Sequence, residues 1–191
     1  MTRRTITVLV ASIVALSSLA GCSASSSNMP QCTTTDENLF ILMAQSVPSA
    51  TQVPCVAELP AGWTFGGSLV QSGLTRFWLD SDRAGIHAVE VDLTRSCDPS
   101  QGVATPPGPD EVNMDVFLVP GLPPSFTATR FAVFEGGCVT YRYRFGGEAS
   151  PSLTVEAQEA LSFLSRRLIV REVELDFGLS LCGAFAKPCA S

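Results

Sequence analysis

Cys138-Val139-Thr140-Tyr141-Arg142-Tyr143-Arg144-Phe145 alternates residue by residue, with Val139, Tyr141, Tyr143 and Phe145 on one side and Thr140, Arg142 and Arg144 on the other. Successive side chains of a strand point to opposite faces, so this spacing predicts a half-buried β-strand. Ala88-Val89-Glu90-Val91-Asp92-Leu93-Thr94 repeats the pattern, with acids where the first stretch carries arginines. An antiparallel pairing that sets Glu90 opposite Arg144 also sets Asp92 opposite Arg142. On the apolar face, Val91 then meets Tyr143 and Val89 meets Phe145. Each such cross-strand pair contributes only ~0.2–1 kcal/mol, but together they specify register.

Further strands flank these two: Trp63 to Val70, Leu74 to Leu79, Asp115 to Val119 and Thr127 to Phe134. Helices are expected at both ends. Thr35 can cap one that begins Asp36-Glu37, with Leu39, Phe40, Leu42 and Met43 as its apolar face and Pro48 as its stop. Toward the C-terminus, Thr154 to Leu164 reads as a helix with Val155, Leu161 and Leu164 on one side. Ser165 to Phe177 fits either a capped helix closed by Gly178 or an alternating strand, and the placing of Ser165 and Gly178 favours the helix. The expected fold class is α+β: a mostly antiparallel sheet packed on one face by N- and C-terminal helices. Two Pro-rich loops, Pro99 to Pro109 and Pro120 to Pro124, join the strands, and the first is too long for a turn.

Six cysteines lie in this region: Cys32, Cys55, Cys97, Cys138, Cys182 and Cys189. An even number in an exported chain reads as three disulfides, although six cysteines allow fifteen connectivities. The preferred set is Cys32–Cys55 to brace the first helix, Cys97–Cys138 to join strand ends, and Cys182–Cys189 to staple the tail. None has the close paired spacing of a zinc site, and the chain has a single histidine, so neither a metal nor another cofactor is expected.

The N-terminus states an address. Arg3 and Arg4 precede an uncharged apolar stretch from Thr5 to Ser18, shorter than the ~20 residues a membrane span needs. It ends in Leu19-Ala20-Gly21-Cys22. Here the sequence resembles bacterial lipoproteins, matching their lipobox at all four positions, over the first 22 residues only. That resemblance implies a signal peptide over 1–21, cleaved before Cys22. It also implies a diacylglyceryl thioether on that cysteine and acylation (palmitate or a similar chain) of the new amino terminus. Two or three acyl chains meet the two-signal requirement for stable anchoring. The expected organisation is then a signal peptide (1–21), a lipidated cysteine with a polar flexible tether (22–30), and one globular domain (31–191). The expected location is the outer face of the cytoplasmic membrane. Without Arg3 and Arg4 the chain keeps ten basic and eighteen acidic residues, a balance that disfavours nucleic acid as a partner.

Chemistry-bearing residues are few. His87 sits beside Gly85 in an expected turn, and no Gly-X-Ser-X-Gly elbow accompanies it. Asp80 and Asp82 could begin a calcium loop but fit a hairpin turn better. Glu172, Glu174 and Asp176 form the densest acid group and read as a solvated face, and Gly66-Gly67 and Gly136-Gly137 read as turns at strand ends. Tyr141, Tyr143 and Phe145 read as core, while Arg142 and Arg144 could take an anion if Glu90 and Asp92 leave them free. No catalytic residue is assigned. The expected function is a non-catalytic binding or accessory module of the cell envelope that works through the Pro-rich loops or the polar sheet face. The alternatives are a small-ligand carrier for lipid or an envelope precursor, which needs a cavity behind the Tyr141–Phe145 face, and an envelope hydrolase.

Overall fold

The computed structural model describes residues 24–26, 29–33, 37–121, 125–147 and 149–190. The signal peptide, Cys22 and the capping position Thr35 lie outside the described residues. Seven strands come from the middle of the chain: β3 (Trp63–Gln71), β4 (Leu74–Ser81), β5 (Gly85–Thr94), β6 (Val103–Thr105), β7 (Asp115–Pro120), β8 (Phe126–Phe134) and β9 (Gly137–Phe145). With the N-terminal β1 (Ala24–Ser26) they form one antiparallel sheet in the order β1-β3-β4-β5-β9-β8-β7-β6. Helices α1 (Glu37–Ser46), α2 (Leu153–Glu159) and α3 (Arg166–Phe177) complete the fold with a second, two-stranded sheet of β2 (Gln52–Val56) and β10 (Leu161–Ser165). The fold is α+β. Among the described residues, no helix is long and apolar enough to cross a membrane.

The core forms where the apolar rows of β4, β5 and β9 meet the helices. Phe77, Leu79, Val89, Val91, Leu93, Val139 and Tyr143 are buried with Leu39, Phe40 and Met43 of α1, Leu153 and Ala157 of α2, and Ile169 and Val173 of α3. Leu42 departs from the expected apolar face: it is 47% exposed, and Ala44 and Val47 are buried beside Met43 instead. All three disulfides pair as expected, Cys32–Cys55, Cys97–Cys138 and Cys182–Cys189.

β5 and β9 are neighbours, but their register is two residues away from the one the charge pattern predicts. Glu90 stands opposite Arg142, Asp92 opposite Thr140, and Val91 opposite Tyr141. A shift of two preserves both faces, so the apolar row stays buried. The reason is a third strand. Arg76 on β4 is paired across from Asp92 and binds its carboxylate twice, Nε to Oδ1 and Nη2 to Oδ2, each at 2.6 Å. Arg142 then serves both acids from the other side, with Nη1 2.6 Å from Glu90 Oε1 and 2.6 Å from Asp92 Oδ2.

Three segments differ from the sequence reading. Leu161–Ser165 is strand β10 rather than the end of a helix, because its backbone pairs with Gln52–Val56 across the chain. Arg166–Phe177, by contrast, is the favoured helix and ends on Gly178 in the left-handed region at φ 64°; Ser165 occupies the N-cap position, but its hydroxyl makes no capping bond. Ala24–Ser26, read as tether, pairs with Leu69 and its neighbours along the β3 edge, where open backbone groups accept another strand. Gly66-Gly67 is not at a strand end but at a bulge inside β3, where the Asp80 carboxylate lies so close that a Cβ on Gly66 would sit 2.9 Å from it. Gly136 does turn the β8–β9 hairpin, at φ 73°.

Candidate binding pocket

β8 turns Ala128, Arg130 and Ala132 toward the helix-covered side, which puts one arginine in an otherwise apolar row. A guanidinium there needs a partner, and the loop between β6 and β7 supplies one. Glu111 turns inward, its backbone N–H donating to Gly108 O at 3.1 Å and its carbonyl accepting from Met114 N at 3.2 Å. Arg130 then grips the carboxylate two-handed, Nη1 on Oε1 and Nη2 on Oε2, the latter at 2.5 Å. The Gly108 N–H donates to the same Oε2 at 2.6 Å. Both side chains are nearly covered, 10% and 8% exposed.

Burial alone would raise the Glu111 carboxyl. The Arg130 hydrogen bonds and the Gly108 amide outweigh it and hold the group below the ordinary carboxylate range. Arg130 also stacks its guanidinium 5.8 Å from the centroid of the Tyr141 ring. Burial pushes the Tyr141 hydroxyl well above its usual value, and the Tyr143 hydroxyl up to about 12. The Gln158 side chain opposes the shift at Tyr143 without cancelling it.

Across from this pair stand Val155, Gln158 and Glu159 of α2 and Leu161 and Phe163 of β10. Between the two walls lies a cavity of about 280 Å³, closed on the loop side by Gly108, Pro109 and Asp110. Phe163 is fixed from behind by an edge contact with Phe134, ring centroids 6.1 Å apart. An engineered apolar cavity of ~150 Å³ takes up benzene, and pockets for drug-sized ligands run from ~300 Å³. This volume suits a ring-sized group. Among the described residues, no serine, cysteine or histidine lines it. A carboxylate locked to Arg130 in its charged form is also poorly placed to exchange a proton near neutral pH.

The sequence-selected residues are dispersed. Tyr141 lines the pocket; Tyr143 and Phe145 are buried in the core beside it. Arg142 is committed to Glu90 and Asp92, while Arg144 is exposed on the open face of the sheet. His87 lies in the left-handed region at φ 51° and stacks on Trp78, ring centroids 5.1 Å apart; the Asp80 carboxylate takes its backbone N–H at 2.6 Å. Asp82 points to solvent, 68% exposed, and among the described residues no three His, Cys, Asp or Glu side chains gather as a metal site. Glu172, Glu174 and Asp176 lie on α3, outside this pocket. Glu111 and Arg130 were not anticipated. Arg130 had a signal, a charge in register with the core-facing row of its strand. Glu111 had none beyond its place after the overlong Pro-rich loop.

No known protein family, characterised protein or solved structure matches the chain significantly.

Proposed function

We propose that this chain is a lipid-anchored, non-catalytic binding module of the bacterial envelope, held at the outer face of the cytoplasmic membrane through Cys22, with its ligand seated in the Arg130–Glu111 pocket. The address rests on the Leu19-Ala20-Gly21-Cys22 lipobox resemblance and on three disulfides, which suit an oxidising compartment. The binding role rests on one observation: a ring-sized cavity opens behind the Tyr141 strand, walled by apolar side chains and floored by a fully engaged ion pair. Small-ligand sites have this composition, mostly apolar with a few fixed polar groups. Its size favours a compact ligand or the compact end of a larger one over an engulfed lipid.

Native mass spectrometry of the exported, disulfide-bonded chain tests this, repeated after denaturation without reductant. A small-molecule adduct that disappears on denaturation supports the reading, provided that Val155→Trp, which fills the mouth from the exposed side of α2, loses it. An adduct that survives in Val155→Trp belongs elsewhere and refutes the pocket. For the address, Cys22→Ala is expected to abolish incorporation of radiolabelled palmitate and release the protein from the membrane.

A further inference from the structure

The residues around the pocket also bear on the charge of its ligand, and the argument rests on the binding reading above. Among the described residues, four charged side chains line the cavity: Asp110, Glu111, Glu159 and Arg130. The one cation among them is already taken, since both Nη groups of Arg130 are bonded to Glu111. An anionic ligand would have to pull Arg130 away and leave a carboxylate stranded at 8% exposure, the costliest outcome for a buried pair. The two remaining acids differ from Glu111. Asp110 and Glu159 are both exposed, and neither has an ion-pair or hydrogen-bond partner among the described residues. They stand on the two walls, one on the Pro-rich loop and one at the end of α2. Deeper in, Leu161, Phe163 and the Tyr141 ring offer only apolar and aromatic surface.

We infer that the pocket selects an amphiphilic amine: a compact apolar or aromatic body seated among Leu161, Phe163 and the Tyr141 ring, with an ammonium group left at the mouth between Asp110 and Glu159. The division matches the energetics of each part. The apolar body gains by leaving water, whereas the ammonium stays hydrated at the rim and avoids the penalty of full burial. Rim carboxylates attract modestly one by one, but two of them favour a cation and oppose an anion of the same shape. The difference between the two charge types is therefore about tenfold or more at low salt.

The test is isothermal titration calorimetry of the exported chain with three probes of one shape: 2-phenylethylammonium, 2-phenylethanol and 3-phenylpropanoate. The ammonium is expected to bind about tenfold tighter than the carboxylate, with the alcohol between them. The spread should shrink at high salt. In the double variant Asp110→Asn, Glu159→Gln, whose sites are exposed and leave the fold intact, the ammonium should fall to the affinity of the alcohol while the alcohol is unchanged. Equal binding of the three probes, tighter binding of the carboxylate, or an ammonium preference that survives the double variant overturns the charge inference and leaves the pocket standing. Failure of all three probes to bind overturns both.

Discussion

Arg166→Met is expected to lower stability by about 3–4 kcal/mol, although methionine fills much of the same apolar space. Arg166 is fully buried at the first position of α3, and among the described residues no carboxylate pairs with it. Its guanidinium instead bonds to Ala44 O, Cys182 O at 2.5 Å, Ala184 O at 3.2 Å and Gln45 Oε1 at 3.1 Å. Ala44 lies in the last turn of α1, where its carbonyl would ordinarily accept from residue 48; that residue is proline and has no N–H. The arginine thus closes the negative end of one helix from the start of another and ties the loop closed by Cys182–Cys189 to both. Charge-assisted bonds are worth about 1.5–3 kcal/mol each, so four of them represent roughly 6–12 kcal/mol. Releasing a buried ion returns several kcal/mol of that, which leaves the net figure. In a domain of this size it corresponds to a fall of about 6–15 °C in melting temperature. Thermal unfolding followed by circular dichroism, with the disulfides intact, measures it, and Arg166→Lys should fall between the two. Buried ion pairs can often be replaced by apolar residues without loss, because both partners leave together. Here the acceptors are mostly backbone and cannot leave. A methionine variant melting within about 2 °C of the wild type would refute that distinction.

The Glu111–Arg130 pair should behave the other way. Glu111→Gln strands a buried guanidinium and is expected to cost about 3–5 kcal/mol, whereas Glu111→Leu with Arg130→Met should recover most of it in a denaturant-melt double-mutant cycle. Acid should destabilise the fold through Glu111 and Asp92, both held below their ordinary values: burial opposes this, but Arg130 and Gly108 prevail at the first, and Arg76 and Arg142 at the second. A depressed carboxylate contributes stability that is complete above its unfolded value, about 4, and is lost as pH falls below that toward the folded value, so urea midpoints should be flat from pH 7 to 5 and drop steeply below ~4. Removing disulfides singly should cost more as the closed loop lengthens, from about 2.5 kcal/mol for Cys182–Cys189 to about 4 kcal/mol for Cys97–Cys138, whose sequence separations are 7 and 41. Equal losses for the two bridges would point to native-state strain or packing instead.

The faces of the sheet were legible in the sequence because alternation is a property of one strand at a time. Val139, Tyr141, Tyr143 and Phe145 announce a buried row wherever their neighbours sit. Register is a property of several strands together, and this is where two-strand reasoning stopped short. Arg142 and Arg144 offered two cations for Glu90 and Asp92, but Arg76 on a third strand replaced Arg144, and the pairing slid by two. Leu161–Ser165 failed for a related reason. Its local spacing extends the α2 pattern, and only the distant segment Gln52–Val56, itself interrupted by Pro54, makes a strand of it. The disulfides could be placed from strand-end and tail positions, which need only rough topology.

The pocket was half legible, and the legible half shows why it exists. In the core-facing row Ala128, Arg130, Ala132, Phe134, stability alone would favour an aliphatic residue at the second place, since burying a guanidinium and its carboxylate brings little net gain. The arginine occupies the floor of the cavity with its charge facing Glu111 instead of filling it. Leucine or methionine there would pack toward Phe163 and Leu161 and close the space. The ion pair is therefore better understood as what keeps a polar-floored cavity open between sheet and helix layer. That separates two roles that otherwise look alike. If the pair is only structural, the double variant Glu111→Leu with Arg130→Met leaves the binding of 2-phenylethanol unchanged. If it maintains the cavity, the same variant is close to wild type in stability and has lost the alcohol and the ammonium together.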